Sequence, residues 1–310
     1  MLMIAGRGAV GPGAIYLGKM NRDDTGQGYL EHLTDQDLRV LAAAAGLDPD
    51  RAGELRQRPG AVQELVERPE LFTQVYGDEQ AGHRPGELAR LSPFLAFLAA
   101  VAQAGREIAA TPYVAERSAP RQLVPVFDAA QLAEFLADPR HRLFLAELLT
   151  SFVRVASGRY WTRTTRGWRS QRYSELDPIR LAQFAEQAPP AHRPGVYRRL
   201  GDVSLFLTGV YPDYAQQHAF GPFDAARLLR AAGLASERSE LAAAPPIQLL
   251  EELGQRWYRR ASALAPVTTT QLAVVVRVAD RFRDARRVLN HVADRYLARV
   301  GNPWFGPPGT

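Results

Sequence analysis

Apolar residues return every three or four positions through most of the chain, the period of helices that pack one face on a core. Helices are predicted over Leu38–Ala45, Pro49–Gln57, Ala61–Glu67, Pro69–Tyr76 and the strongly apolar Pro93–Ala109. Two more run to Ala137 and Ala156, and others follow from Pro178, over Pro194–Val210, Pro222–Ala232 and Pro246–Ala261, and over a long Gln271–Val300. Their starts carry capping residues: Thr34 with Asp35 and Asp37 behind it, Ser92 before Pro93, Asp128, and Asp177 before Pro178. Each supplies a side-chain oxygen to free backbone N–H groups of a first turn, and proline fits the first helical position. In the last helix Val275, Val278, Phe282, Ala285, Leu289, Val292 and Tyr296 alternate spacings of three and four, a heptad-type stripe.

Three stretches break the period. Residues 1–28 are rich in glycine, which predicts a flexible leader with ordered structure starting at Thr34. Residues 110–127 contain Pro112, Pro120 and Pro125 and read as extended chain. Residues 159–173, RYWTRTTRGWRSQRY, alternate strand-favouring aromatic and β-branched residues around Arg166-Gly167, which predicts a β-hairpin. A loop at those two residues places Tyr160 opposite Tyr173, Trp161 opposite Arg172 and Thr165 opposite Trp168. One face then carries Trp161, Arg163, Arg172 and Trp168, and the other Tyr160, Tyr173 and Arg169. The fold class is mainly α: a multi-helical protein with one inserted two-stranded hairpin and a long C-terminal helix. Its organisation reads as a leader (1–28), a small helical subdomain (29–80), a main helical domain carrying the hairpin (92–300) and a Pro/Gly tail (301–310), in which Trp304 and Phe305 tuck onto the protein's own surface.

Composition narrows the chemistry. At 310 residues, 46% hydrophobic and 23% charged, the chain is long enough to bury a substantial core. It has no cysteine, which removes disulfides, thiol nucleophiles and thiolate metal sites and fits a cytoplasmic protein. No apolar run approaches the ~20 residues of a membrane span, so no membrane partner is expected. Charge is unevenly spread: residues 1–150 carry 15 Lys/Arg against 20 Asp/Glu, whereas residues 151–310 carry 23 against 13. The second half, at +10, is suited to an anionic partner or to the acidic first half, at −5.

The hairpin holds five of those arginines and no acid. Arg159, Trp161, Arg163, Arg166, Trp168, Arg169 and Arg172 are the candidate contact residues for nucleic acid or another anion: guanidinium groups meet phosphates while aromatic rings stack on bases. Winged-helix docking is disfavoured, because the preceding helix carries Leu143, Phe144, Leu145, Leu148 and Leu149 where a reading helix is exposed and polar. A weaker candidate is a pocket drawing on Arg198, Arg199, Asp202, Asp213, His218 and His291. A row of Asp280, Asp284, Arg287, His291 and Asp294 or Arg295 reads as a solvated helix face linked by ion pairs. Gly6–Gly11, GRGAVG, matches a dinucleotide pattern, but Pro12 and Gly13 stand where a helix must begin, so it is read as chance. No P-loop, nucleophile elbow or metal-ligand spacing is present. No catalytic residue, metal or cofactor is assigned. The leading expectation is a non-enzymatic binding protein whose basic half engages an anion, most sharply nucleic acid. The alternative is a protein-interaction or scaffold component using the heptad helix or the N-terminal helices. An enzyme with the Arg/His/Asp pocket comes third.

Overall fold

The computed structural model describes residues 22–77, 91–119, 122–154, 157–164, 167–174, 176–217, 220–234, 241–297 and 304–305. The chain is mainly α-helical. Helices α1 (Arg22–His32), α2 (Asp35–Ala44), a 3₁₀ segment (Pro49–Gln57), α3 (Pro59–Val66) and α4 (Pro69–Tyr76) lead to α5 (Pro93–Ala109). A ribbon of β1 (Val114–Ala119) and β2 (Gln122–Val126) precedes α6 (Ala129–Ala137) and α7 (Pro139–Ser151). The ribbon β3 (Ser157–Thr164) and β4 (Gly167–Ser174) follows. Then come α8 (Pro178–Gln187), α9 (Arg193–Val210), α10 (Pro212–Gln217), α11 (Pro222–Ala232), α12 (Pro246–Leu264), α13 (Thr270–Asp280) and α14 (Phe282–Val292), and a π turn (Ala293–Leu297) closes the series.

The caps behave as their chemistry dictates. Thr34 and Asp37 form a reciprocal capping box, and the second Asp37 oxygen accepts the Ser92 N–H at 3.0 Å, joining the starts of α2 and α5. Ser92, Asp138 and Asp177 each accept first-turn backbone N–H groups. Asp128 departs from expectation. It stands before α6, but its side chain makes no cap bond and pairs with Arg287 instead.

The predicted flexible leader is corrected over residues 22–28, which belong to α1, so helical structure precedes Thr34. The glycines that read as flexible are close-approach positions. A Cβ at Gly26 would lie 1.9 Å from the Pro59 carbonyl oxygen, so α1 and α3 meet only because that side chain is absent. Tyr29 is fully buried and its hydroxyl donates to the Pro139 carbonyl at 3.2 Å. The remainder of the expected leader, including Gly6–Gly11, and the boundary at 78–90 lie outside the described residues.

One continuous set of buried apolar side chains runs from Tyr29 to Leu297, so the helices of 29–77 share their core with those that follow. Its centre is the packing of α9 on α12 and α14. There a Cβ at Gly201 would sit 2.4 Å from the Tyr258 ring, so the smallest side chain on α9 admits one of the largest on α12. The expected long C-terminal helix is divided at Arg281, whose backbone leaves helical geometry (φ −116°, ψ 31°) between α13 and α14. All seven residues of its heptad stripe are buried in this chain's own core. The stripe is therefore not a free seam for a partner helix.

Trp304 and Phe305 also pack inward. The Phe305 ring stacks on Phe97 at 5.3 Å and meets Phe206 edge-on at 5.3 Å, while Trp304 meets Phe97 at 5.2 Å. Phe305→Ala is expected to cost about 2–3 kcal/mol, less than the roughly 3–5 kcal/mol of a fully buried aromatic because the ring is only half-buried. Urea denaturation checks this. An unchanged midpoint would mean that the tail contributes nothing to the core.

Candidate functional site

The ribbon β3–β4 is antiparallel, with Ser157 opposite Ser174, Arg159 opposite Arg172, Trp161 opposite Ser170, Arg163 opposite Trp168 and Thr164 opposite Gly167. This corrects the sequence-derived register. The two-residue connection is Thr165-Arg166, not Arg166-Gly167, and each residue of β3 faces a partner two positions earlier in β4 than expected. Because strand alternation has period two, a shift of two leaves the division into faces intact. Positions 159, 161 and 163 therefore share a face with 168, 170 and 172, and positions 160 and 162 share the other with 169, 171 and 173. Arg166 lies outside the described residues. β4 runs beside α8, which supplies the ribbon's link to the helical body. The helix before it, α7, buries Phe144, Leu145, Leu148 and Leu149 and so forms part of the core.

A second ribbon, β1–β2, occupies the stretch read only as extended chain, with Val114 opposite Val126 and Glu116 opposite Val124. Pro125 lacks an N–H, but every strand of a two-stranded ribbon has a free edge where proline is tolerated. Glu116 projects from β1 into a charged network. Arg286 donates from Nε to Glu251, from one terminal nitrogen to Glu116 and from the other to Asn290 Oδ1 at 2.9 Å. The Asn290 amide donates onward to the Thr208 and Gly209 carbonyls at 3.0 and 2.6 Å. Arg287 joins Glu116 at 2.7 Å and also pairs with Asp128.

This network decides where the two oppositely charged halves meet. Carboxylates of the first half (Glu107, Glu116, Asp128 and Glu134) pair with Arg281, Arg286, Arg287, His291 and Arg295 of the second. The clasp is thus built on α14 and its flanks. The row expected to be a solvated face holds much of it: Asp284 is buried and bonded to Gln131 and Arg281, and His291 approaches Glu107 at 3.3 Å. Burial lowers the His291 pKa, against the opposing pull of Glu107.

The residues of the weaker candidate pocket are dispersed. Arg198 donates from Nε to Asp202 at 3.1 Å, and the Tyr258 hydroxyl donates to the same oxygen at 2.8 Å. Burial, and then the Asp202 carboxylate, push the Tyr258 phenol well above its ordinary value, so it stays a proton donor. Arg199 points elsewhere, bonding to Ser151 and stacking on the Phe152 ring at 3.9 Å. Asp213 lies on α10, His291 belongs to the clasp, and His218 is outside the described residues. Among the described residues no group of three or more His, Asp or Glu is placed to hold a metal ion, and no helix is long and apolar enough to cross a membrane.

What sequence reasoning missed is a cleft bounded by α1, α7, α9 and α13, with a volume of about 290 Å³. Asp24, Gly28 and Glu31 lie on one face of α1 at helical spacing, a signal masked by reading those glycines as leader. Comparison with protein-family profiles, curated proteins and solved structures gives no match to this chain.

Proposed function

We propose that this protein is a non-enzymatic nucleic-acid-binding protein and that the β3–β4 ribbon is its contact element. The observation that carries this reading is the register, which aligns Arg159, Arg163 and Arg172 with Trp161 and Trp168 along one face of a ribbon containing no acidic residue. Such a face offers guanidinium groups to successive phosphates and indole rings to bases. A two-stranded ribbon also has the width to enter a major groove. The charge distribution supports the same reading. The five ribbon arginines account for half of the +10 on residues 151–310, and the clasp between the two halves is already made by α14.

Fluorescence anisotropy with labelled oligonucleotides, single-stranded and duplex, tests the proposal. Binding is expected at ~50 mM salt and should weaken by roughly two orders of magnitude at ~200 mM if about four phosphates are neutralised, since log K falls by ~0.9 per contact per decade of salt on duplex DNA. Undetectable binding to DNA and RNA at ~50 mM salt, where phosphate contacts are strong, overturns the reading.

A further inference from the structure

We propose that the seam where α7 packs on α13 binds inorganic phosphate, held as hydrogen phosphate between Arg277 and His141. The site is separate from the β3–β4 ribbon and does not depend on nucleic-acid binding.

The first observation is an empty guanidinium fork. Arg277 lies one turn beyond Val274 on α13, and Val274 lines the same cleft as Arg140 of α7. Its Nε and Nη2 are both buried, and neither has a hydrogen-bond partner among the described residues. Those two nitrogens form one edge of the guanidinium, where parallel N–H groups match two oxygens of a single anion. Arg140 shows the same edge filled: its Nε and Nη2 donate to the two Asp138 oxygens at 2.7 and 2.6 Å. Asp138 is committed to that grip and to capping α7, where it accepts the Arg140 backbone N–H at 3.0 Å. Burial, and then the Arg140 charge, hold the Arg277 pKa below its ordinary value, a penalty that a bound anion offsets. Buried donors without acceptors are uncommon, and an ion that completes them accounts for the exception.

The second observation is independent of the first. His141 is only 6% exposed, stacks on Phe135 with ring centroids 4.3 Å apart, and meets the Phe135 carbonyl through Nδ1 at 2.8 Å. A carbonyl only accepts, so Nδ1 carries the proton and the neutral ring presents a bare lone pair at Nε2. That Nε2 is buried and has no partner among the described residues. Burial, with the charges of Arg277 and Arg140 behind it, lowers the His141 pKa against the pull of the Phe135 carbonyl and Asp138. Arg277 acts on the ring more strongly than Arg140, the neighbour of His141 in sequence, so the empty fork lies close to the empty lone pair.

The chemistry of the ligand follows from this pair. It offers two oxygens to Arg277 and one hydroxyl donor to His141. Hydrogen phosphate has both. Sulfate has the same shape and charge but no proton, and it leaves Nε2 unpaired. A phosphate monoester loses its second proton at about pH 6, and a nucleic-acid diester carries none, so neither supplies the donor at ~pH 8.

Isothermal titration of the full chain at ~pH 8, with inorganic phosphate, sulfate and glycerol 3-phosphate, provides the test. The expected result is saturable phosphate binding at one site, with sulfate and the monoester weaker by roughly tenfold or more, the value of one hydrogen bond to a buried group. Arg277→Met should weaken phosphate roughly a hundredfold, as the loss of a two-pronged contact requires. It should not lower the unfolding midpoint of the unliganded protein, because the charge it removes has no partner. His141→Phe keeps a ring on Phe135 and should bring the ratio of phosphate to sulfate affinity close to one, a ratio that loss of stability alone does not move. Arg39→Met, which removes an exposed arginine on α2, should leave binding unchanged. Absence of saturable phosphate binding overturns the proposal, as does equal affinity for sulfate in the unmodified chain. Full binding in Arg277→Met would place the ion elsewhere on the molecule and equally overturn it.

Discussion

Arg286→Met is expected to lower the free energy of unfolding by about 3–5 kcal/mol, because it strands buried charge rather than merely deleting a contact. Arg286 is 4% exposed and its guanidinium is shared among Glu251, Glu116 and Asn290. Without it, Glu251 keeps only a long approach from Arg283 at 3.6 Å, and Asn290 loses the donor that fixes its amide against the α9 carbonyls. Arg287→Met should cost less, since that side chain is more exposed and Glu116 retains Arg286. The double variant Arg286→Met/Glu251→Leu separates the stranded charge from the worth of the pair. Replacing both buried partners by apolar groups is often near neutral, so the double variant should recover much of the stability lost by the single one. Urea denaturation gives all three values. If the double variant recovers none of the stability lost by Arg286→Met, the loss does not come from stranding the Glu251 charge.

The same network has an acid limit whose sign follows from Glu116. Burial pushes its carboxyl upward, but the charges and hydrogen bonds of Arg286 and Arg287 outweigh that and hold it below the ordinary 4.5. A carboxyl depressed in the folded state contributes stability above its unfolded pKa and loses it as pH falls through the folded value. Wild-type stability should therefore decline below about pH 4.5, with a smaller Glu116 contribution to that decline in Arg286→Met.

Features governed by neighbours in sequence were legible, and features governed by distant partners were not. Thr34, Ser92 and Asp177 cap their helices because the N–H groups they satisfy lie two or three residues away. Asp128 carries the same local signal, yet Arg287, 159 positions along the chain, takes its carboxylate. Gly26 and Gly28 lower helix propensity and so hid α1, although each is small because another segment passes where its Cβ would stand. The break at Arg281 has no proline or glycine to announce it. There the side chain turns to Asp284, Glu134 and the Gln131 carbonyl. The ribbon's existence and faces were readable from strand propensity and alternation, but its turn was not, because Arg-Gly and Thr-Arg compete for the tip and Gly167 begins β4 instead. The cleft left only the spacing of Asp24, Gly28 and Glu31 along α1 as a local signal, since four helices contribute to it and the sequence does not say which of them meet.

Arg159→Ser/Arg163→Ser/Arg172→Ser is expected to reduce nucleic-acid affinity by roughly 10²–10³-fold at ~100 mM salt, since each phosphate contact contributes ~0.9 decade there through counterion release. The three positions share one face, so the variant removes the charge of that face while leaving the strand pairing in place. The salt slope should become shallower by about 2–3, which a loss of structure alone would not produce in proportion. Trp161→Ala/Trp168→Ala should behave differently. Stacking contributes ~1–3 kcal/mol per base and is not counterion-linked, so affinity falls while the slope is preserved. That contrast divides electrostatic from stacking roles on a single face. The opposite pattern, unfolding at lower urea with unchanged affinity in the arginine variant, would make the ribbon a second internal clasp beside the one on α14. The nucleic-acid reading would then have no contact element left.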